Sequence, residues 1–113
     1  MPPRSSLGEL ELVILLGLMR AGEGAYGAAI REEIAATTGR DVTPGAIYPT
    51  LDRLEQRGLV RSYMGEPTGE RGGRARRHFV LLKPGLAEVR RAWRQYATLA
   101  SGLEAALGKG RGQ

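Results

Sequence analysis

The chain has 113 residues, a formal net charge of +5, a pI of about 10.2 and no cysteine. That length sets one domain with room for an added association helix, and so small a core gains from oligomerisation. The lack of thiols excludes disulfides, thiolate zinc sites and a cysteine nucleophile and fits a reducing cytoplasm, while the positive balance points to an anionic partner.

Residues 1–5 read as a frayed tail. Ser6-Leu7-Gly8-Glu9 has capping-box spacing, with Ser6 as N-cap and Glu9 as its third helical position. The first helix then runs to about Arg20, with Leu12, Leu15, Leu16 and Met19 as its buried stripe. Leu10, Val13, Ile14 and Leu18 widen the apolar surface beyond one small core's needs. A covering second subunit is therefore expected, the alternative being a helix central to its own domain. The run Leu12–Met19 is far shorter than the roughly 20 residues of a membrane span. A signal peptide is not expected either, because Glu9 and Glu11 interrupt the apolar stretch.

Ala21-Gly22-Glu23-Gly24 is a turn, and a second helix follows from about Ala25 to Thr38. Tyr26, Ile30 and Ile34 recur at helical spacing, Gly27 permits close approach of a neighbour, and Gly39 suits a left-handed stop.

The stretch from Val42 to Val60 carries the signs of a short helix with both ends marked. Thr43 is a candidate N-cap, Pro44 fits the first helical position, and Gly58 fits the stop. Val42 and Ile47 are spaced as a hydrophobic staple. Ile47, Leu51 and Leu54 form a narrow apolar stripe. The other face, with Gly45, Tyr48, Pro49, Asp52 and Arg53, suits entry into a DNA major groove. Pro49 removes the N–H that would bond the Gly45 carbonyl, so a kink or a loose first turn is expected before the regular helix. With the second helix this gives the helix-turn-helix pattern.

After Gly58 the period changes. Leu59–Met64 and His78–Leu82 read as two strands, and residues 65–77 between them as a Gly- and Arg-rich hairpin tip. A basic hairpin after a helix-turn-helix makes a wing, able to lie along a phosphate ridge or minor groove. The alternative is a solvated loop. A last helix is expected from Pro84 to Leu107. Leu86, Val89, Trp93, Tyr96, Ala100, Leu103 and Leu107 alternate steps of three and four, a heptad seam that predicts dimerisation, the alternative being a helix that packs back on its own core. The domain layout is thus a winged helix-turn-helix domain at 1–83, a dimerisation helix at 84–107 and a disordered tail at 108–113. The fold class is mainly α with a two-stranded β wing.

No catalytic or metal-binding constellation emerges. His78, the only histidine, has no partner Cys or His and reads as a strand-edge residue. No cofactor is expected.

Four stretches together resemble the PadR-like transcriptional regulators. They are L-G-E-L-E-L-V-I-L-L from Leu7, A-Y-G-A-A-I-R-E-E-I from Ala25, G-A-I-Y-P-T-L-D-R-L-E-Q-R-G-L-V from Gly45, and G-E-P-T-G-E-R-G-G-R-A-R-R-H-F-V-L from Gly65. The resemblance spans about Leu7 to Val89. It implies a homodimeric winged helix-turn-helix repressor of bacterial type, in the smaller subclass with a single C-terminal helix. One departure is Leu81-Leu82-Lys83-Pro84-Gly85, where the family has L-T-P-x-G, so a Leu replaces the Thr that would cap the last helix.

The leading expectation is a sequence-specific, ligand-responsive DNA-binding repressor in the cytoplasm, with no membrane association. The alternative is a winged-helix module for protein–protein assembly. Candidate DNA contacts are Thr43, Gly45, Tyr48, Thr50 and Arg53 on the reading helix and Arg74, Arg76 and Arg77 on the wing. Two-fold symmetry calls for double-stranded DNA with a pseudo-palindromic operator, its half-sites about one helical turn apart. Trp93, with Tyr96, Leu12 and Leu16, is the candidate site for a small planar aromatic effector. The alternative is that Trp93 is simply a large core residue closing the dimer; two indoles facing across the dimer axis would suit a flat guest. The resemblance implies the same, since some small PadR-like regulators hold planar compounds between paired aromatics of this helix.

Overall fold

The first helix, α1 (Glu9–Ala21), starts on a different cap from the one the sequence spacing suggests. Gly8 is the N-cap, and the carboxylate of Glu11, three residues on, accepts the Gly8 N–H at 2.8 Å. The reciprocal half of a capping box needs a hydroxyl that Gly8 lacks. Ser6 lies outside the residues described by this computed structural model, which are 7–67 and 75–108.

The face that α1 buries is also rotated from the expected one. Ile14, Leu15 and Leu18 enter the core, Leu12 is half-buried, and Leu16 and Met19 are each 43% exposed. Gly17 explains the rotation. A Cβ there would lie 2.7 Å from the Ile34 side chain, so this side of α1 can press on α2 (Gly27–Thr38). α2 is capped by Tyr26 and ends on Gly39 in the left-handed region, φ 78°.

α3 (Pro44–Gln56) keeps the expected start, with Thr43 at the N-cap and Pro44 in the first turn. The Thr43 side chain makes no capping bond, however; its backbone carbonyl accepts the N–H groups of Ala46 and Ile47. The helix is unbroken through Pro49 rather than opening after a loose first turn. Gly45, whose carbonyl loses its partner to the proline, is exposed, so water can satisfy that oxygen. Gly58 supplies the positive φ, 77°, that turns the chain out of the helix.

β1 (Val60–Met64) and β2 (Arg77–Leu81) pair antiparallel, Val60 opposite Leu81 and Met64 opposite Arg77. The helix-turn-helix is stitched to this hairpin by backbone. Phe79 N–H bonds the Ala25 carbonyl at 2.9 Å, and Tyr26 bridges His78. One core results, from Ile14, Leu15 and Leu18, Ile30 and Ile34, Ile47, Leu51 and Leu54, Val60 and Phe79, closed by Val89. Three helices followed by a two-stranded wing is the expected winged helix-turn-helix order.

The last helix is shorter than its heptad pattern suggests. α4 (Lys83–Ala100) ends at Ser101, Gly102 takes φ 88°, and a separate turn, α5 (Glu104–Leu107), follows. Ser101 is extended, and Gly102 carries the chain through a conformation that other residues adopt at a cost. A continuous 84–107 helix is therefore not formed. α4 starts on Leu82, which offers no side-chain cap, as the Leu in place of Thr requires. Gly108 caps α5, and the rest of the expected tail lies outside the described residues.

The root of α4 is a close backbone-to-backbone contact. Leu82 N–H bonds the Leu59 carbonyl at 3.0 Å, and a Cβ on Gly85 would sit 2.2 Å from that same oxygen. Backbone cannot swing aside as a side-chain tip can. Gly85→Ala is expected to lower unfolding stability by about 1–3 kcal/mol, measured by urea denaturation against a Gly45→Ala control, where the added carbon meets only a threonine hydroxyl at 3.9 Å.

Candidate nucleic-acid interface

The face that α3 leaves to solvent follows from what it buries. Ile47, Thr50, Leu51 and Leu54 line the inner side, all 1% exposed or less. Thr43, Pro44, Gly45, Tyr48, Pro49, Asp52 and Arg53 remain outside. Thr50 must therefore be removed from the candidate DNA contacts. It stands three residues after Ile47, on the apolar stripe, and its hydroxyl is satisfied locally. It donates to the Ala46 carbonyl at 2.8 Å and accepts from Arg53 at 3.1 Å. A threonine whose hydroxyl closes back on its own helix can be buried without an unpaired group.

Tyr48 is 39% exposed, with its hydroxyl end against the backbone of Gly27; a Cβ on Gly27 would meet that oxygen at 2.2 Å. Gly27 thus admits the tip of Tyr48, which sets the spacing between α2 and the start of α3. The link before α3 is fastened from the other side. The Arg31 guanidinium donates to the Val42 carbonyl at 2.6 Å and lies 3.6 Å from Asp41.

On the wing, neighbouring arginines have different fates. Arg76 is exposed, its guanidinium 4.3 Å above the Tyr26 ring. Arg77 turns inward and bridges two carboxylates of α3, Asp52 at 2.9 Å and Glu55 at 2.8 Å. Its guanidinium is thus engaged with α3 rather than free. Arg74 lies outside the described residues. Glu55 also accepts the Ser62 N–H at 3.0 Å and the Ser62 hydroxyl. Burial alone would raise the Glu55 carboxyl, but the hydrogen bonds from Ser62 and Arg77 outweigh it and hold the group below its ordinary value of 4.5.

His78 is the hinge pin between the wing and the turn before α2. Its Nδ1 lies 2.7 Å from the Gly24 carbonyl, which can only accept, so Nδ1 carries the proton. The ring stacks on Tyr63 at 5.0 Å and meets Tyr26 edge-on at 5.9 Å. The Nδ1–H is thus committed to holding backbone.

The architecture thus presents a helix start and a hairpin root on one structural frame, and comparison with known proteins decides what kind of frame it is. A family model described as the transcriptional regulator PadR-like family matches residues 15–91. The chain belongs to this family. No curated protein matches it. A PadR family transcription regulator from Clostridium difficile is similar at 20% identity, with TM-score 0.69, over 89% of this chain and 100% of that one. A PadR family regulator from Eggerthella lenta is 28% identical over 90% of this chain and 88% of its own, with TM-score 0.64. A Streptococcus transcriptional regulator is also 28% identical, with TM-score 0.63, over 90% of this chain and 100% of that one. This PadR-like chain is accordingly a DNA-binding transcription regulator and not an enzyme. Among the described residues, no helix is long and apolar enough to cross a membrane.

The candidate dimer and effector residues divide along α4. Val89 is buried in the chain's own core and Leu86 is half-buried, so the seam's first two positions face inward. Trp93, Tyr96, Leu103 and Leu107 are exposed, Trp93 by 65%, and Ala100 is half-buried. Leu99, which the heptad reading leaves off the seam, is 70% exposed. The PadR-like chain therefore offers the far half of α4, together with Leu16 and Met19 of α1, as unpartnered apolar surface.

Sequence reasoning missed the Arg31–Val42 tie and the Asp52–Arg77–Glu55 bridge. Asp52 and Glu55 at i and i+3 are legible as a paired face. Their cation stands more than twenty residues later, and only strand register brings it back.

The depressed Glu55 carboxyl has a consequence for pH. A folded value below the unfolded one means the wing contact stabilises the protein fully above about pH 4.5 and is lost as pH falls through the folded value. The stability difference between wild type and Glu55→Gln should therefore be present at pH 7 and shrink as pH falls below 4.5, followed by thermal unfolding across pH.

Proposed function

We infer that this PadR-like protein acts as a homodimeric, cytoplasmic, ligand-responsive repressor that reads a pseudo-palindromic operator in double-stranded DNA. The observation that carries the reading is the split of α3 into a fully buried stripe and an open face with Thr43, Gly45, Tyr48 and Arg53. A helix held by its inner side with its N-terminal end exposed can enter a major groove. Arg76 adds an exposed charge at the wing root, and Arg74 would add another. The reaction is electrostatic capture followed by groove contact: arginines displace counterions along the phosphates, and Tyr48 and its neighbours meet base edges or the sugar-phosphate rim.

The dimer reading rests on the bare apolar end of α4. An indole 65% exposed, next to exposed Tyr96 and Leu99, loses favourable burial unless a second surface covers it. A second copy related by a two-fold axis would bring the two Trp93 rings together, and a flat aromatic guest between them would favour one spacing of the subunits. Differential affinity for two spacings is what links a ligand to the operator.

Gel shifts against DNA upstream of the protein's own gene, across a salt series, test the DNA reading. Tyr48→Ala is expected to weaken binding and blur sequence preference, whereas Thr50→Val, at a buried position, should leave sequence preference unchanged. Equal binding of all duplexes by wild type would remove the specific-operator reading.

The dimer needs variants that spare the monomer core, so Tyr96→Glu with Leu99→Glu is the suitable pair and Val89 is not. Sedimentation should show this pair as a monomer, with folded far-UV dichroism. Titration of wild-type Trp93 fluorescence with planar cations and phenolic acids should give saturable quenching and reduced operator affinity. A tight dimer in the double variant, or an indole indifferent to every planar compound, would remove the corresponding part of the reading.

A further inference from the structure

We propose that Arg77 is a positioning residue, a clasp that fixes the angle between the wing and the recognition helix and so lets both meet one duplex. The proposal rests on the DNA-binding reading above and gives Arg77 a role different from phosphate contact. Arg77 is the first residue of β2, opposite Met64, the last of β1. One further bond, Gly65 N–H to the Arg76 carbonyl at 2.8 Å, continues the pairing beyond it. A tilt of the far end of the two strands relative to α3 works against the contacts of Arg77.

The guanidinium fork engages two residues one helical turn apart on α3, Nη1 with Asp52 and Nη2 with Glu55. Its plane lies 4.9 Å from the Phe79 ring, which restricts its swing. Glu55 completes the clasp on the other strand. While one of its oxygens takes Arg77, the other takes the Ser62 N–H. The Phe79 N–H points away from β1 to Ala25, so its cross-strand neighbour Ser62 also turns its N–H away from the hairpin, toward Glu55. One carboxylate of α3 thereby holds both strands.

Charge points the same way. For Arg77 to reach a phosphate it would abandon two charge-assisted bonds and leave Asp52 and Glu55 uncompensated beside a polyanion. Asp52 keeps half of its side-chain surface in solvent, on the open face of α3. Arg77 in place neutralises this pair and leaves the phosphate work to Arg76 and the tip. Successive residues of an extended chain point to opposite sides, which is why neighbouring arginines can divide these tasks.

The discriminating variant is Asp52→Asn. If charge near DNA were all that mattered, removing this carboxylate would tighten binding. The clasp requires the reverse: Asp52→Asn and Arg77→Gln should each weaken operator binding by about tenfold, the scale of one charge-assisted hydrogen bond. The salt slope should stay that of wild type, and Arg77→Lys, which keeps the charge but not the fork, should fall between. A slope lowered by about 1 per protomer in Arg77→Gln, with tighter binding in Asp52→Asn, would make Arg77 a phosphate contact and overturn the proposal. A readout free of DNA keeps the two readings separable. Amide exchange at Ser62 should accelerate in folded Arg77→Gln while the core helices stay protected. Unchanged Ser62 exchange overturns the clasp even if DNA binding is intact. Faster Ser62 exchange in a protein that shifts no duplex would uphold the locked wing and sink the DNA reading alone.

Discussion

Both polar groups of the Leu59 backbone are committed to elements that it joins. Its N–H closes the end of α3 on the Leu54 carbonyl at 3.0 Å, and its carbonyl receives Leu82 N–H, one residue before α4. Its side chain is buried, and Gly85 presses backbone to backbone on the carbonyl. α3, the wing and the last helix thus share one junction. β1 leaves from Val60, the next residue, and β2 returns at Leu81, its register partner. If this junction loosened, α4 would lose its direction, because only its first two turns bury core residues.

The same economy holds on the reading side. α3 is positioned by its apolar stripe from within, by Tyr48 on Gly27 near its start, by Arg31 on the Val42 carbonyl just before it, and by Arg77 toward its end. These fixings lie on different sides of the helix and use different chemistry: burial, shape, a hydrogen bond and an ion pair. Pro49 is tolerated because the carbonyl it deprives of a partner belongs to an exposed glycine. The part of α3 that stays open is what remains after these demands are met.

The order of elements was legible because it is written in local chemistry. Thr43-Pro44 and Gly58 bracket α3, Gly39 stops α2, and the change of period after Gly58 announces the hairpin. What the sequence misplaced were choices between nearly equal local options. α1 has apolar residues almost all round, so periodicity alone could not tell Ile14 and Leu18 from Leu16 and Met19; the small Gly17 on one side decided it. Thr50 looked like surface because it is polar, yet its hydroxyl satisfies itself within one turn. The heptad steps from Leu86 to Leu107 run through Gly102, which weakens a helix in any case and here ends it, because backbone conformation outranks side-chain pattern. The bridge from Arg77 to α3 was out of reach because strand register, set over the whole hairpin, brings those charges together.

The stop at Ser101 gives α4 a mechanical character. Its 18 residues make a rod about 27 Å long, clamped at Leu82 and Gly85 and bare beyond Val89. A clamped rod is a lever. A tilt of about 3° at the clamp carries the free end by about 1.4 Å at that length. Read in reverse, a load at the far end works against the Leu59 junction with the full length of the arm, and that junction is also where α3 ends.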